Sequence, residues 1–136
     1  MAPDDPLALG MVDAMEAAGL RAFGPHKNAA IIEASKSFSK NLMKKYGIPT
    51  AEYRVFTDYD QARAYIADCE LPVVLKADGL ALGKGVLICE TREDAFRALD
   101  VIMRERAFGD AGNTLVVEQF MTGPEVSVLA FADRCV

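Results

Sequence analysis

The sequence has no tryptophan, a single histidine and only three cysteines among its 136 residues. Cys69, Cys89 and Cys135 are widely spaced, odd in number and form no C-x-x-C pair. Disulfide frameworks and cysteine-based zinc sites need paired cysteines, so we expect reduced thiols and a cytoplasmic protein. The one histidine, His26, lies in a predicted loop, and we expect no catalytic role for it.

Long apolar runs and an excess of positive charge are also missing. No run approaches the roughly 20 apolar residues that a membrane-spanning helix needs, and we expect no signal peptide. The formal net charge of −5 argues against nucleic acid or an anionic membrane as the partner. The hydrophobic content of 51% is enough for one ordinary domain with a core.

The strongest chemical signal is a glycine-rich loop between two apolar runs. The first run ends on Lys76, where an unpaired charge is costly to desolvate, so we expect this lysine to reach a polar cleft. Glycines let the backbone approach a ligand, and exposed amides with lysine charges bind phosphate oxygens. The loop therefore predicts a hairpin over a polyphosphate such as ATP, with these members: Gly79, Gly83, Lys84 and Gly85.

This loop differs from two familiar phosphate motifs. A P-loop has four residues between its glycines and a Ser or Thr after the lysine, whereas Gly85 follows Lys84 here. The dinucleotide fingerprint has another glycine spacing and leads into a helix, and here a strand is predicted next. From the residues alone, an ordinary glycine-rich hairpin with surface lysines stays open as an alternative.

Periodicity and cap residues predict an α+β fold. Helices are predicted at residues 6–18, 28–34, 35–46, 58–67 and 91–104. Strands are predicted at residues 20–23, 53–56, 73–77, 85–90, 115–118 and 125–132. The order strand, helix, hairpin, helix, strand indicates a small, mainly antiparallel sheet with helices on one face.

Three further charged residues are candidates for the site or for the surface: two lysines on the predicted helix at 35–46 and an aspartate beside the predicted hairpin. Lys36 comes at the start of that helix, where amide N–H groups and the helix dipole favour anions. Further along the helix, we expect Lys40 to lie on a solvated face. Asp78, beside the glycines, is expected to orient Lys76 or bind near the phosphates, or to stabilise the turn.

Five segments of the chain together resemble one enzyme family. They are SKSF, GIPTA, LKADGLALGKGV, AFGDAG and VEQF, at residues 35–38, 47–51, 75–86, 107–112 and 117–120. On these residues the chain is similar to glycinamide ribonucleotide synthetase (phosphoribosylamine–glycine ligase), an ATP-grasp family. The resemblance covers essentially the whole chain, whereas the lysine–glycine segment alone would indicate only the ATP-grasp superfamily.

The resemblance implies an ATP-binding role for eleven residues. They are Lys36 and Lys76 at the phosphates; Gly79, Gly83, Lys84 and Gly85 in the loop that closes over them; Glu118, Gln119, Phe120 and Met121 at the adenine, mainly through backbone groups; and Glu125 at the ribose hydroxyls. In the implied reaction ATP phosphorylates glycine, and the amine of phosphoribosylamine attacks the acyl phosphate. The resemblance places the ligands of Mg²⁺ or Mn²⁺ outside this chain, in which we expect no catalytic residue.

Family members are much longer than this chain, so the resemblance implies an internal fragment that is inactive alone. The expected parts are the tail of an N-terminal α/β domain (1–26), a helical linker (27–49), the small ATP-grasp subdomain (50–120), and a hinge with the first strand of a truncated larger subdomain (121–136). Two alternatives stay open: another ATP-grasp carboxylate–amine ligase or a carboxylase, and a non-catalytic nucleotide-binding module.

Overall fold

The computed structural model describes residues 4–81 and 84–130. Its helices are α1 (Asp4–Leu9), α2 (Met11–Ala17), α3 (Lys27–Ala34), α4 (Lys36–Tyr46), α5 (Tyr59–Asp68) and α6 (Arg92–Leu99). Its strands are β1 (Tyr53–Phe56), β2 (Val73–Ala77), β3 (Val86–Cys89) and β4 (Leu115–Gln119). A π-helical turn, Asp100–Arg104, continues α6, and a 3-10 turn, Gly109–Asn113, precedes β4. No helix in these ranges is long and apolar enough to cross a bilayer.

The four strands form one antiparallel sheet in the order β1-β4-β2-β3. β4, the last of these strands in chain order, lies between β1 and β2, and its Glu118 pairs with Tyr53 of β1 and Val74 of β2. The predicted α+β class with a small antiparallel sheet is therefore confirmed.

One face of this sheet makes the core. Because side chains alternate along a strand, every second residue of β2 and β4 points to the same side. On that side α5 and α6 cover the sheet, and the following residues are buried together: Ala62, Ile66, Val73, Leu75, Ala77, Cys89, Ala95, Leu99, Leu115 and Val117. The opposite face carries Lys76 and Glu118, so the two faces of one sheet differ in chemistry.

Side-chain caps set the starts of three helices, as their sequences predict. Ser35 Oγ accepts from the amide of Phe38 at 3.1 Å at the start of α4. Asp58 caps α5 and Thr91 caps α6 in the same way, with acceptor distances of 2.8 and 3.1 Å. Such caps each stabilise a helix by about 1 kcal/mol, which explains why these boundaries are readable from the sequence.

Three predicted elements are wrong. The helix at 6–18 is broken into α1 and α2 because Gly10 adopts a left-handed φ of +99°. Residues 20–23 form no strand, and neither do residues 125–130, whereas 131 and 132 lie outside the described residues. A strand needs a partner, and Val126, Val128 and Leu129 are exposed instead of paired in the described part.

The segment before β4 supports the base of the glycine-rich loop. The backbone N–H of Asp78 donates to the carbonyls of Ala111 and Thr114, at 2.9 and 3.0 Å. Gly112 is buried in the 3-10 turn, against the carbonyl of Ile102 in the π-helical turn. The turn therefore joins α6 to the loop through close backbone contacts.

A methyl group at Gly112 would collide with the Ile102 carbonyl oxygen. Because that oxygen is backbone within the core, we expect Gly112→Ala to lower the free energy of unfolding by about 3 kcal/mol, as overpacking does. Urea unfolding followed by circular dichroism measures it. In Gly109→Ala the new methyl meets nothing within 4 Å, and only the left-handed backbone is strained, at about 1 kcal/mol. Equal losses in the two variants would contradict the packing argument.

Burial raises the pKa of the Cys89 thiol from 9.0 to about 11. The neutral thiol therefore stabilises the folded state fully below pH 9, and this contribution is lost as the pH rises towards 11. We expect the free energy of unfolding to fall less steeply over this range in Cys89→Ala than in the unmodified chain. Cys69→Ala, at a half-exposed thiol, is the control, and urea unfolding at several alkaline pH values is the measurement.

Candidate functional site

Three charged side chains meet on the sheet face opposite α5 and α6. Lys76 Nζ on β2 donates to Glu118 Oε2 on β4 at 2.7 Å, and Lys40 Nζ on α4 lies 3.2 Å from the same oxygen. The exposed fractions of these side chains are 24%, 6% and 12% for Lys76, Glu118 and Lys40. A buried carboxylate is stable only when paired, so this ion cluster explains how an acidic residue fits inside β4.

Lys40 is not on a solvated face, and that prediction is wrong. Its ammonium group also donates to Thr50 Oγ1 at 2.7 Å and lies 5.7 Å from the ring centre of Tyr53. Helical spacing places Lys40 on a face of α4 but does not show what that face meets. The signal that would have found it is Glu118 itself, an acid within an apolar strand, since a buried carboxylate must be paired with a cation.

One oxygen of Glu118 keeps an unused hydrogen-bonding capacity. Glu118 Oε1 is buried and has no hydrogen-bond partner among the described residues. Because buried polar atoms are nearly always hydrogen-bonded, this acceptor fits a donor supplied by a ligand. The cluster can thus bind an anion through its lysines and a donor through its carboxylate.

A second polar cluster joins the glycine-rich loop to the first turn of α4. Asp78 Oδ1 accepts from the amide of Ser37 at 3.0 Å, and both carboxylate oxygens lie within 3.3 Å of Ser35 Oγ. The hydroxyl of Ser37 also donates to Asp78 Oδ2. Lys36 Nζ donates to the carbonyl of Gly79 at 2.8 Å. Asp78 therefore contacts α4 and not Lys76, and it is the anion at the amino end of this helix.

The environment of Lys36 changes its protonation equilibrium. Burial is the main reason that the pKa of the Lys36 ammonium lies below its ordinary value. The charge of Asp78 opposes this shift, and the nearby charge of Lys76 adds to it. Lys36 and Lys76, both predicted to bind phosphate, are thus near enough to feel each other's charge.

The glycines of the loop are needed for close packing. A methyl group at Gly79 would come within 2.8 Å of the Ala111 side chain, and one at Gly85 within 2.7 Å of the Ala81 side chain. Lys84 is exposed, and its amide donates to the Ala81 carbonyl at 2.8 Å. Gly83, the other predicted member of the loop, lies outside the described residues.

The predicted adenine segment follows Glu118 out of the sheet. Gln119 is the last residue of β4, and its amide donates to the Glu52 carbonyl at 2.9 Å. Phe120 is half-buried, whereas Met121 and Glu125 are exposed. A cavity of about 300 Å³ lies beside this segment, and its lining includes Tyr65, Cys69, Leu71, Gln119 and Phe120. The adenine and ribose roles of these residues stay predictions.

A family model and the curated relatives of this chain indicate the same protein family. A family model described as phosphoribosylglycinamide synthetase, ATP-grasp (A) domain, matches residues 34–135. Phosphoribosylamine–glycine ligases of Streptococcus pyogenes serotype M1 and Listeria monocytogenes serovar 1/2a are each 52% identical over 131 residues. These alignments cover 96% of this chain and 31% of the relatives, so the chain spans about a third of the length of the curated relatives it matches.

Solved structures of similar shape agree. Phosphoribosylamine–glycine ligase from Thermotoga maritima has a TM-score of 0.69 and 37% identity, over 75% of this chain and 26% of that one. The biotin carboxylase domain of a Hydrogenobacter thermophilus 2-oxoglutarate carboxylase, solved with MgADP, has a TM-score of 0.61 and 28% identity, over 81% of this chain and 25% of that one. The shared fold is the ATP-grasp fold.

Replacing Glu118 by glutamine would leave the ammonium groups of Lys40 and Lys76 without their shared carboxylate. We expect Glu118→Gln to lower the free energy of unfolding by about 3 kcal/mol, measured by urea unfolding, because unpaired buried charges are costly. Glu90→Gln, at an exposed position, should change it by less than about 0.5 kcal/mol.

Adding Lys40→Met to Glu118→Gln should recover part of the loss, since it removes one stranded cation. If the double variant instead has a still lower free energy of unfolding than Glu118→Gln, the cost of that substitution does not come from the unpaired ammonium group of Lys40.

Proposed function

Because the chain belongs to the phosphoribosylglycinamide synthetase family, we propose that it forms the ATP-binding part of an ATP-dependent phosphoribosylamine–glycine ligase. The chain spans 31% of the length of its curated relatives. The complete ligase reaction is therefore proposed for the whole protein to which this chain belongs. The observation that carries it is the placement of Lys36 and Lys76 beside a glycine loop that has no room for a side chain at Gly79 or at Gly85.

At the phosphate end the site offers positive charge. Lys36, Lys40 and Lys76 stand against the carboxylates of Asp78 and Glu118, which leaves one positive charge in the two clusters. Lys36 and Lys76 would contact the phosphates, and the loop with Gly79, Gly83, Lys84 and Gly85 would close over them. Phosphoryl transfer depends mainly on positioning and on stabilising charge, which such groups supply.

At the base end the site offers a buried acceptor, Glu118 Oε1, and the backbone that leads out of β4. Glu118 Oε1 fits the exocyclic amine of adenine, since that amine is a donor and this oxygen has no partner among the described residues. The backbone of Gln119, Phe120 and Met121 would bind the ring edge, and Glu125 the ribose hydroxyls.

In the proposed reaction ATP phosphorylates the carboxylate of glycine, and the resulting glycyl phosphate is attacked by the amine of phosphoribosylamine. ADP, phosphate and glycinamide ribonucleotide are the products. Mg²⁺ or Mn²⁺ on the phosphates would neutralise charge when bound. Among the described residues no three His, Cys, Asp or Glu side chains are grouped to hold a metal, so we assign no metal ligand and no step through a metal to this part of the chain.

The test is ADP release by the whole protein, with glycine and freshly generated phosphoribosylamine supplied together and each omitted in turn. Release should need both, and Lys76→Met should lower kcat/KM about 100-fold, as loss of one charge-stabilising donor does. Lys44→Met, at an exposed lysine of α4, should leave it unchanged.

Release driven by a different acid–amine pair would overturn the substrate assignment and favour another ATP-grasp ligase or a carboxylase. Nucleotide binding without turnover under any pair would favour a non-catalytic module. Absence of both binding and turnover would overturn the proposal altogether.

A further inference from the structure

We propose that Asp78 is a positioning residue for Lys36: its carboxylate fastens the base of the glycine-rich loop to the first turn of α4 and so fixes the Lys36 ammonium. Asp78, Ser35 and Ser37 are here called the Asp78 latch. The structural part of this inference stands on its own contacts, and its effect on nucleotide binding rests on the function proposed above.

The latch holds Lys36 from both sides. Ser35 and Ser37 are its two neighbours in the chain, and both donate to Asp78 from more than 40 residues away. Lys36 itself donates to Gly79, the residue after Asp78, at 2.8 Å. Hydrogen bonds from three consecutive residues at the start of α4 thus join it to two consecutive residues at the base of the loop. They restrict the backbone conformation of Lys36.

Fixing a lysine in advance favours binding. The side chain of lysine loses much rotamer freedom when it engages a ligand. A group held in place before the ligand arrives avoids part of that cost, so preorganisation raises affinity. Release of Asp78 from Ser35 and Ser37 would return this freedom to Lys36 without removing its charge.

Asp78 also favours the protonated form of Lys36. Burial lowers the pKa of the Lys36 ammonium, and the charge of Asp78 is the largest influence in the opposite direction. The carboxylate therefore favours the charged form of the same lysine that it positions. Asparagine at this position would lose that charge and keep only one acceptor oxygen.

The backbone of Asp78 is anchored separately. Its N–H donates to Ala111 and Thr114 at 2.9 and 3.0 Å, on the 3-10 turn side of the loop. A side-chain substitution leaves these two bonds available. Asp78→Asn therefore perturbs the contacts to α4 and keeps the other support of the loop base.

The first experiment is a double-mutant cycle in the whole protein, with KM for ATP and kcat as readouts. Asp78→Asn should raise KM for ATP about 10-fold with a smaller change in kcat, and Lys36→Met should raise it at least as much. The double variant should be no worse than Lys36→Met alone, because Asp78 acts through Lys36. Asp110→Asn, an exposed acid in the neighbouring 3-10 turn, is the matched control and should leave KM unchanged.

Fold-changes that multiply in the double variant would show that Asp78 acts independently of Lys36. A lower Tm with an unchanged KM for ATP would show that the latch only stabilises the fold. Either result overturns the positioning role.

A second readout does not depend on turnover. The rate of Lys36 acylation by acetic anhydride, followed by peptide mass spectrometry, should rise at least threefold in Asp78→Asn, since the amine is released and more often neutral. Lys44 in the same samples should react at an unchanged rate. An unchanged Lys36 rate would overturn the latch, whereas a faster rate in a protein without ATP turnover would keep the latch and overturn the proposed function.

Discussion

The buried carboxylate of Glu118 is the constraint on which the other parts of this structure depend. An acid inside a central strand must be paired, and its two cations come from different elements: Lys76 from β2 and Lys40 from α4. The Oε2 atom of Glu118 on β4 is therefore bound by side chains from β2 and from α4, and it holds these three elements together. The same pairing leaves positive charge on the sheet face opposite α5 and α6, and one carboxylate oxygen without a partner among the described residues. This is the face on which we propose that the nucleotide binds.

One alternating pattern serves both stability and recognition. In β2, Val73, Leu75 and Ala77 lie on the side covered by α5 and α6, whereas Lys76 faces the other way. The core requires small and branched apolar residues, and the opposite face carries the charged cluster. Because successive side chains of a strand point to opposite faces, neither requirement restricts the other.

Local chemistry explains which features were predictable. The starts of α4, α5 and α6 follow from Ser35, Asp58 and Thr91, whose side chains bond within three residues of themselves. The roles of Lys40 and Asp78 were missed because their partners lie far away in the sequence, and periodicity shows only which face a residue occupies. The break at Gly10 was missed for another reason: helical spacing continues across a glycine whatever φ it adopts.

The strand order also has a consequence for synthesis of the chain on the ribosome. β4 lies between β1 and β2 although it is made after both of them. Until residue 119 has left the exit tunnel, β1 and the β2–β3 hairpin present unpaired edges, which are sites of aggregation. A nascent chain that stalls before that point holds three strands without the one that lies between them, and its strand edges stay exposed for as long as the stall lasts.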